Sequence, residues 1–399
     1  MINNLFSYDP GTILLYSFIV AFSTLLARAS KKKAICNAYG EMIRTYDKYC
    51  YFLCFVFVAF FAATNGVGAD KQAYAYFFST SSFDRILTGS EPGYELFMWL
   101  LKFVIHDNST IFISLFGLLP VINVFWGIWK LRERISIPWA VFIFTSQYYF
   151  QSFNLMRIYF AVSILILFAH YIFEGKYIKY VIVILVASAF HYSMLFVLLA
   201  YVMAFVLNKL LKVNFGFKLF ALSGLSILFS TAAVKVITNL LGFSNAIIYK
   251  YSGYLSNVSL SNVGIKWIFN VIPFIFTLIL LRKIYKRNIL ISITVSYFLF
   301  TLVISLLSYS VPVIGRAMIG LNLPVLVLLP LAIESFHFEA MKTGIHDVYV
   351  SIGRKTVKFS YRFMKWVMII YFIFAFYLYL SEYVGSDMID NFKFIWTIS

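Results

Sequence analysis

The stretch Gln147–Ser193 reads QYYFQSFNLMRIYFAVSILILFAHYIFEGKYIKYVIVILVASAFHYS. Its middle is apolar enough for lipid, yet it carries Arg157 and His191, each beside a break in hydrophobicity. Asn154 lies one turn before Arg157, which puts both on one helical face. His191 falls inside an apolar run that is long for one membrane span and short for two. An ionisable side chain in such a segment is costly and marks a functional position by default. The stretch therefore predicts membrane-crossing helices and half of an active site at their outer face.

The rest of the chain fits that frame. Of its 399 residues, 62% are hydrophobic, 20% aromatic and 12% charged, against about 25% charged in a soluble protein. No water-soluble fold of this length hides so much apolar surface. Long apolar runs, without the alternation of an outer-membrane barrel, predict an all-α polytopic membrane protein of about 12 spans. The spans are expected near 11–27, 49–65, 110–130, 137–153, 157–173, 178–190, 193–207, 217–238, 266–281, 289–309, 317–335 and 366–383, as one transmembrane domain over 1–399. The spans meeting at His191 are short.

Basic loops near 28–48 and 336–365 are read as cytoplasmic, and loops near 66–109 and 239–265 as outer. The segments read as inner hold 24 of the 33 Lys and Arg residues, which is the positive-inside asymmetry. That asymmetry explains the net charge of +17 without a nucleic-acid partner. The N-terminal MINNLFSYDP has no Lys or Arg and does not read as a signal-peptide start. Within the first outer loop, Glu91–Ile105 reads as a helix too short to span, lying on the outer surface. Cys36, Cys50 and Cys54 lack the paired spacing of a zinc site and receive no role.

Unusual residues collect on the outer side: Asp70, Asp84, Glu91, Arg157, His191, Lys250 and Arg316, with Tyr74, Tyr94, Tyr149 and Tyr251 among the aromatics. Guanidinium forks bind pyrophosphate oxygens in pairs, and aromatic faces with carboxylates suit sugar rings and hydroxyls. The chain has no phosphate-binding G-x-x-x-x-G-K-[ST] loop, no HExxH and no Ser nucleophile elbow. No cofactor and no metal are therefore expected. A reaction without nucleotide or metal needs a substrate that is already activated. A polyprenyl-diphosphate sugar meets that need, because arginine stabilises the charge developing on its leaving group.

The string FNLMRIYFAVSILILFAHYIFEGKYIKYVIVILVASAFHYSMLFVLLAY resembles the core of the EpsG-like branch of Wzy-type polysaccharide polymerases. The pattern is Asn-x-x-Arg, a small residue, a short basic turn, then Ala-Ser-x-x-His-x-Ser. It falls on Asn154, Arg157, Ala161, Lys176, Ala187, Ser188, His191 and Ser193. Asp70, the EPGYE of Glu91–Glu95, the YKYSGY of Tyr249–Tyr254 and Arg316 also match, over roughly 50–335. The Gln that usually follows the Arg is Ile158 here.

The resemblance implies an enzyme of the bacterial inner membrane, similar in plan to all-helical membrane glycosyltransferases. It would join undecaprenyl-diphosphate-linked oligosaccharide units into O-antigen, capsule or exopolysaccharide at the periplasmic or outer face. A chain-length regulator and a flippase are its candidate partners. On that reading Arg157 and Arg316 hold the donor pyrophosphate and Asn154 orients Arg157. His191 orients or deprotonates the acceptor hydroxyl, and Asp70 and Glu91 position sugars, with either as the alternative base. Lys250, Tyr251 and Tyr94 contribute weaker sugar contacts. The competing readings are a lipid-linked sugar flippase or transporter, an O-antigen ligase, and a membrane acyltransferase. A flippase should carry cations in a central cavity and show internal repeats, whereas here the cations gather towards one face and no repeat is visible.

Overall fold

Among the described residues of the computed structural model, five helical stretches are long and apolar enough to cross a bilayer: Pro10–Ala29, Ser109–Lys130, Met156–Phe173, Gly315–Thr343 and Tyr361–Ser381. Shorter apolar helices cover Lys48–Thr64, Tyr177–Phe190, Met194–Val206, Asn270–Leu281 and Ile289–Ser305. The protein is thus an all-helical polytopic membrane protein. The structure describes residues 8–36, 42–88, 91–210, 266–284, 289–308, 315–322, 324–344, 347–352, 355–382 and 388–397. The span expected at 217–238 and the outer segment at 239–265 lie outside the described residues.

Local sequence sets the helix starts. Asp9 caps α1 (Pro10–Ala29), accepting from the Thr12 amide at 2.8 Å, with Pro10 at the first helical position. Asp47 caps α2 (Lys48–Thr64), accepting from the amides of Tyr49 and Cys50 at 2.9 and 3.0 Å. Large apolar side chains such as Leu14, Phe18, Phe52, Phe60, Trp126 and Trp366 are exposed, as a lipid-facing surface requires.

The chain forms two compact units, Met1–Tyr192 with Pro330–Ser399, and Ser193–Leu329. In the second unit, the Ser292 hydroxyl donates to Asn208 Oδ1 at 3.2 Å and Thr301 to Asn322 Oδ1 at 3.4 Å.

In the first unit, the described residues of the loop at 66–109 hold three helices where one was expected: α3 (Lys71–Ser79), α4 (Phe83–Thr88) and α5 (Pro92–Ile105). Tyr74 and Phe78 of α3 and Tyr94 and Met98 of α5 join Phe112 and Phe116 of α6 (Ser109–Lys130) in one apolar cluster. Met156 and Phe160 complete it. The span expected at 137–153 is broken into α7 (Ile137–Ile143), a π-helical turn at Phe144–Tyr148 and a 3-10 turn at Gln151–Phe153. Thr145 and Ser146 donate back to the carbonyls of Val141 and Phe142 at 2.9 and 2.7 Å, which draws the backbone off its regular ladder. The next helices are α8 (Met156–Leu167), α9 (His170–Phe173) and α10 (Tyr177–Phe190).

The basic loops contain antiparallel hairpins that hydropathy alone does not reveal: β1 (Lys31–Cys36) with β2 (Met42–Tyr46), and β3 (Asp347–Ile352) with β4 (Lys355–Ser360). The buried Arg44 of β2 reaches the buried Glu334 at 2.9 Å. The Tyr46 hydroxyl accepts from the Ile137 amide at 3.2 Å. Both α2 and α7 therefore start beside this hairpin.

The loop after α2 meets the C-terminal segment. The amides of Gly66 and Gly68 donate to the carbonyls of Lys393 and Met388 at 2.7 and 3.2 Å. Phe392 donates its amide to Thr12 Oγ1 at 2.9 Å, and the Tyr16 hydroxyl donates to the Ile389 carbonyl at 2.8 Å. The acidic tail is thus a strap across the loop that leads to Asp70.

Candidate active site

Arg157 is the second residue of α8, just after the broken span. The Pro92 that opens α5 restricts the preceding residue to extended backbone, and Glu91 stands there. The Arg157 Nη1 donates to Glu91 Oε2 at 2.7 Å. The guanidinium lies over the rings of Tyr94 and Tyr74, with centroids at 5.2 and 5.6 Å. A quarter of the Arg157 side chain stays exposed (25%), against 10% for Glu91.

His191 follows the last residue of α10 with extended backbone. Its Nε2 is 3.8 Å from Glu91 Oε1. Glycine makes this approach possible: a Cβ on Gly93 would sit 2.9 Å from the Ala189 Cβ, so α5 lies directly against the end of α10. Glu91 is thereby the centre of an Arg157–Glu91–His191 row drawn from three elements.

Asn154 is buried, and its Oδ1 accepts from the Asp70 amide at 2.9 Å. Gly68 lies against the Phe153 carbonyl with φ of 128°, a close approach that a side chain would block. Asp70 itself stands at the N-terminus of α3, half-buried and with no side-chain capping bond.

Beside it, Lys71 is buried and donates to the Asn65 carbonyl and to Asn65 Oδ1. Burial pushes its pKa down to about 7. The tyrosines respond to burial in the other direction. The hydroxyls of Tyr74 and Tyr94 are raised, Tyr94 well above its ordinary value. Among the described residues no group of three His, Cys, Asp or Glu stands close enough to hold a metal ion.

The structure brings together Glu91, Arg157, His191 and Tyr94, and sets Asn154 and Asp70 in the adjoining loop. Arg316 opens the helix Gly315–Asn322 of the second unit, where it is exposed. Lys250 and Tyr251 lie outside the described residues. Sequence reading gave no role to Lys71 or Glu95. Lys71 is one of only nine cations outside the basic segments, and Glu95 follows Glu91 by one helical turn. Both signals are visible in the chain. Tyr149, named among the outer aromatics, is a buried core residue donating to the Val58 carbonyl at 2.7 Å.

A charged row, shielded at one end of a bundle of apolar helices, defines a multi-pass membrane protein with a polar site near its helix ends. The chain belongs to the EpsG family, whose model matches residues 48–352. Membership supports a role of polysaccharide-polymerase type. No curated protein and no solved structure gives a significant match. The matched region contains the whole Arg157–Glu91–His191 row and stops short of the C-terminal strap.

Proposed function

We propose that the protein is a glycosyltransferase that joins undecaprenyl-diphosphate-linked repeat units into O-antigen, capsule or exopolysaccharide. It acts at the outer face of the bacterial inner membrane and uses the lipid-linked donor in place of a nucleotide sugar. The observation that carries this reading is Arg157, fixed by Glu91 and by two tyrosine rings while a quarter of its side chain stays exposed. A cation held in place before the reaction, at the edge of a low-dielectric region, stabilises charge that develops on a departing diphosphate. Its neighbours suit the sugar: tyrosine faces for the ring, and Asp70, positioned by Asn154, for hydroxyls. His191, turned to Glu91, orients the acceptor.

The placement along the helices supports the outer face. α2 and the broken α7 segment run from the Arg44 hairpin to the loop that carries Asn65, Asp70 and Asn154. The hairpin end carries the basic residues, which the positive-inside rule assigns to the cytoplasm. The site then faces away from it, towards newly flipped lipid-linked units. A flippase and a chain-length regulator are the partners this reading calls for.

The test is the surface-polysaccharide ladder of a strain lacking the protein, complemented with wild type or Arg157→Ala at matched expression. Single-repeat product in the deletion strain, with long chains restored by wild type and not by Arg157→Ala, is the expected result. Long chains in the deletion strain would overturn the reading. Loss of even the single-repeat product would transfer it to a flippase or ligase.

A further inference from the structure

Buried polar atoms rarely go without a hydrogen-bond partner. Among the described residues, three such atoms gather in one place: Arg157 Nε, the Tyr94 hydroxyl and Glu95 Oε2. Tyr94 and Arg157 are in direct contact, and Glu95 feels the Arg157 charge. One is a donor, one is a hydroxyl and one is an acceptor. A ligand that carries both phosphate and sugar hydroxyls satisfies all three.

The two glutamates of this helix start differ in what is left for such a ligand. Both Glu91 oxygens face partners, Oε2 on Arg157 at 2.7 Å and Oε1 towards His191 at 3.8 Å. Glu95, one turn further along α5, is half-buried, and its Oε2 has no hydrogen-bond partner among the described residues. The geometry points to Glu95 as the catalytic residue that takes the proton from the acceptor sugar hydroxyl, an inference that rests on the polymerase reading. Glu91 then serves as the positioning residue that fixes Arg157 and His191.

The step balances. The acceptor hydroxyl oxygen bonds to the anomeric carbon of the donor. The bond from that carbon to the diphosphate oxygen breaks, and its electron pair leaves with the diphosphate beside Arg157. The hydroxyl proton passes to the Glu95 carboxylate, which later releases it to water. Burial raises the Glu95 pKa above the usual glutamate range, with Arg85 and Arg157 pulling in the opposite direction. A raised pKa makes the carboxylate a stronger base. The charged groups that act on it from other helices are Arg85 on α4 and Arg157 on α8. Its own helix start and helix carry Glu91, Tyr94 and Lys102.

The experiment uses the full-length protein in membranes, given radiolabelled lipid-linked repeat units extracted from the deletion strain. Initial rates of polymer formation are measured from pH 5 to pH 9 for wild type, Glu95→Gln, Glu95→Asp and Tyr94→Phe. Glu95→Gln is expected to lose about 100-fold or more in rate while still binding the labelled lipid. Glu95→Asp should keep part of the activity with its acid limb displaced, because the limb belongs to residue 95. Tyr94→Phe should lose less than Glu95→Gln and leave the limb in place.

Glu95→Gln within threefold of wild type across the range would overturn the assignment and leave the polymerase reading intact. Should Glu95→Gln fail to accumulate, Glu95→Asp decides, and an acid limb that does not move overturns the assignment. A wild-type protein that makes no polymer from these units overturns the polymerase reading, and the role of Glu95 with it.

Discussion

Among the described residues of the first unit, two arginines each meet a buried glutamate, and the two pairs are built for different ends. Arg44 and Glu334 join a hairpin to a helix at the basic end, with side chains 8% and 2% exposed. Lys31 adds a second cation at 3.7 Å, and the Phe338 ring lies 5.5 Å from the Arg44 guanidinium. Arg157 and Glu91 join two helix starts at the other end, and there the arginine side chain stays 25% exposed. Each arginine has one nitrogen without a hydrogen-bond partner among the described residues. At Arg157 a tyrosine hydroxyl and a glutamate oxygen in the same condition stand close by. Closure makes the first pair a fastening between chain segments. Partial exposure and polar atoms left unmet among the described residues mark the second as the candidate site.

The sharpest way to break this contrast is to remove each arginine. Arg157→Ala should cut polymer formation by about 100-fold or more, with purified protein still folded. Among the described residues, Arg44→Ala leaves the buried Glu334 with only the longer Lys31 contact at 3.7 Å, which should cost about 2–4 kcal/mol of stability. It should lower the thermal midpoint in detergent while the surviving protein keeps its specific activity within threefold. The double replacement Arg44→Met with Glu334→Leu should recover most of the lost midpoint, because a well-packed apolar pair avoids the desolvation penalty. Equal loss of specific activity in both single variants would erase the distinction.

A smaller effect is expected at the contact that brings Glu91 to His191. Gly93→Val would push α5 off Ala189 and spread the row. A loss of roughly tenfold in rate, with less than a twofold change in protein level, would fit the geometric sensitivity of positioned groups. An unchanged rate would mean that the approach of these two helices does not matter to turnover.

The smallest effect concerns Lys71, a cation that bonds to Asn65 and has no carboxylate partner among the described residues. Its folded pKa of about 7 lies below the unfolded lysine value of about 10.4. Between those values the unfolded chain holds a proton that the folded one has lost, so this group makes stability rise with pH. Below pH 7 its penalty is present in full. The thermal midpoint of wild type should therefore climb between pH 7 and pH 10 relative to Lys71→Met, which should show a flatter profile. Parallel profiles would mean that Lys71 stays charged in the fold.

Much of this was legible in the chain because a charge in apolar surroundings is a local signal. Arg157 and His191 stand out within Gln147–Ser193 for that reason, and Glu91 stands out beside Pro92. The two helix starts at Asp9 and Asp47 lie within two residues of the expected span starts, because the capping chemistry is local. The partner of Glu91 was not, because Arg157 lies 66 positions away and no periodicity links them. The same holds for Arg44 and Glu334, 290 positions apart, and for the strap from Met388 to Lys393 over Gly66 and Gly68. The hairpins escaped a hydropathy reading because their strands are only five or six residues long and lysines sit in β1 and β4.

By itself, then, the sequence determined a bundle of membrane helices, the end of the bundle where charge gathers, and the residues out of place in lipid. Each depends on composition or spacing within a few turns of chain. Only the tertiary structure decided that Glu91 meets Arg157 and His191 while Glu95 keeps an oxygen without a hydrogen-bond partner among the described residues. Two glutamates one turn apart look alike in sequence, and their chemistry differs only in which distant side chains arrive beside them.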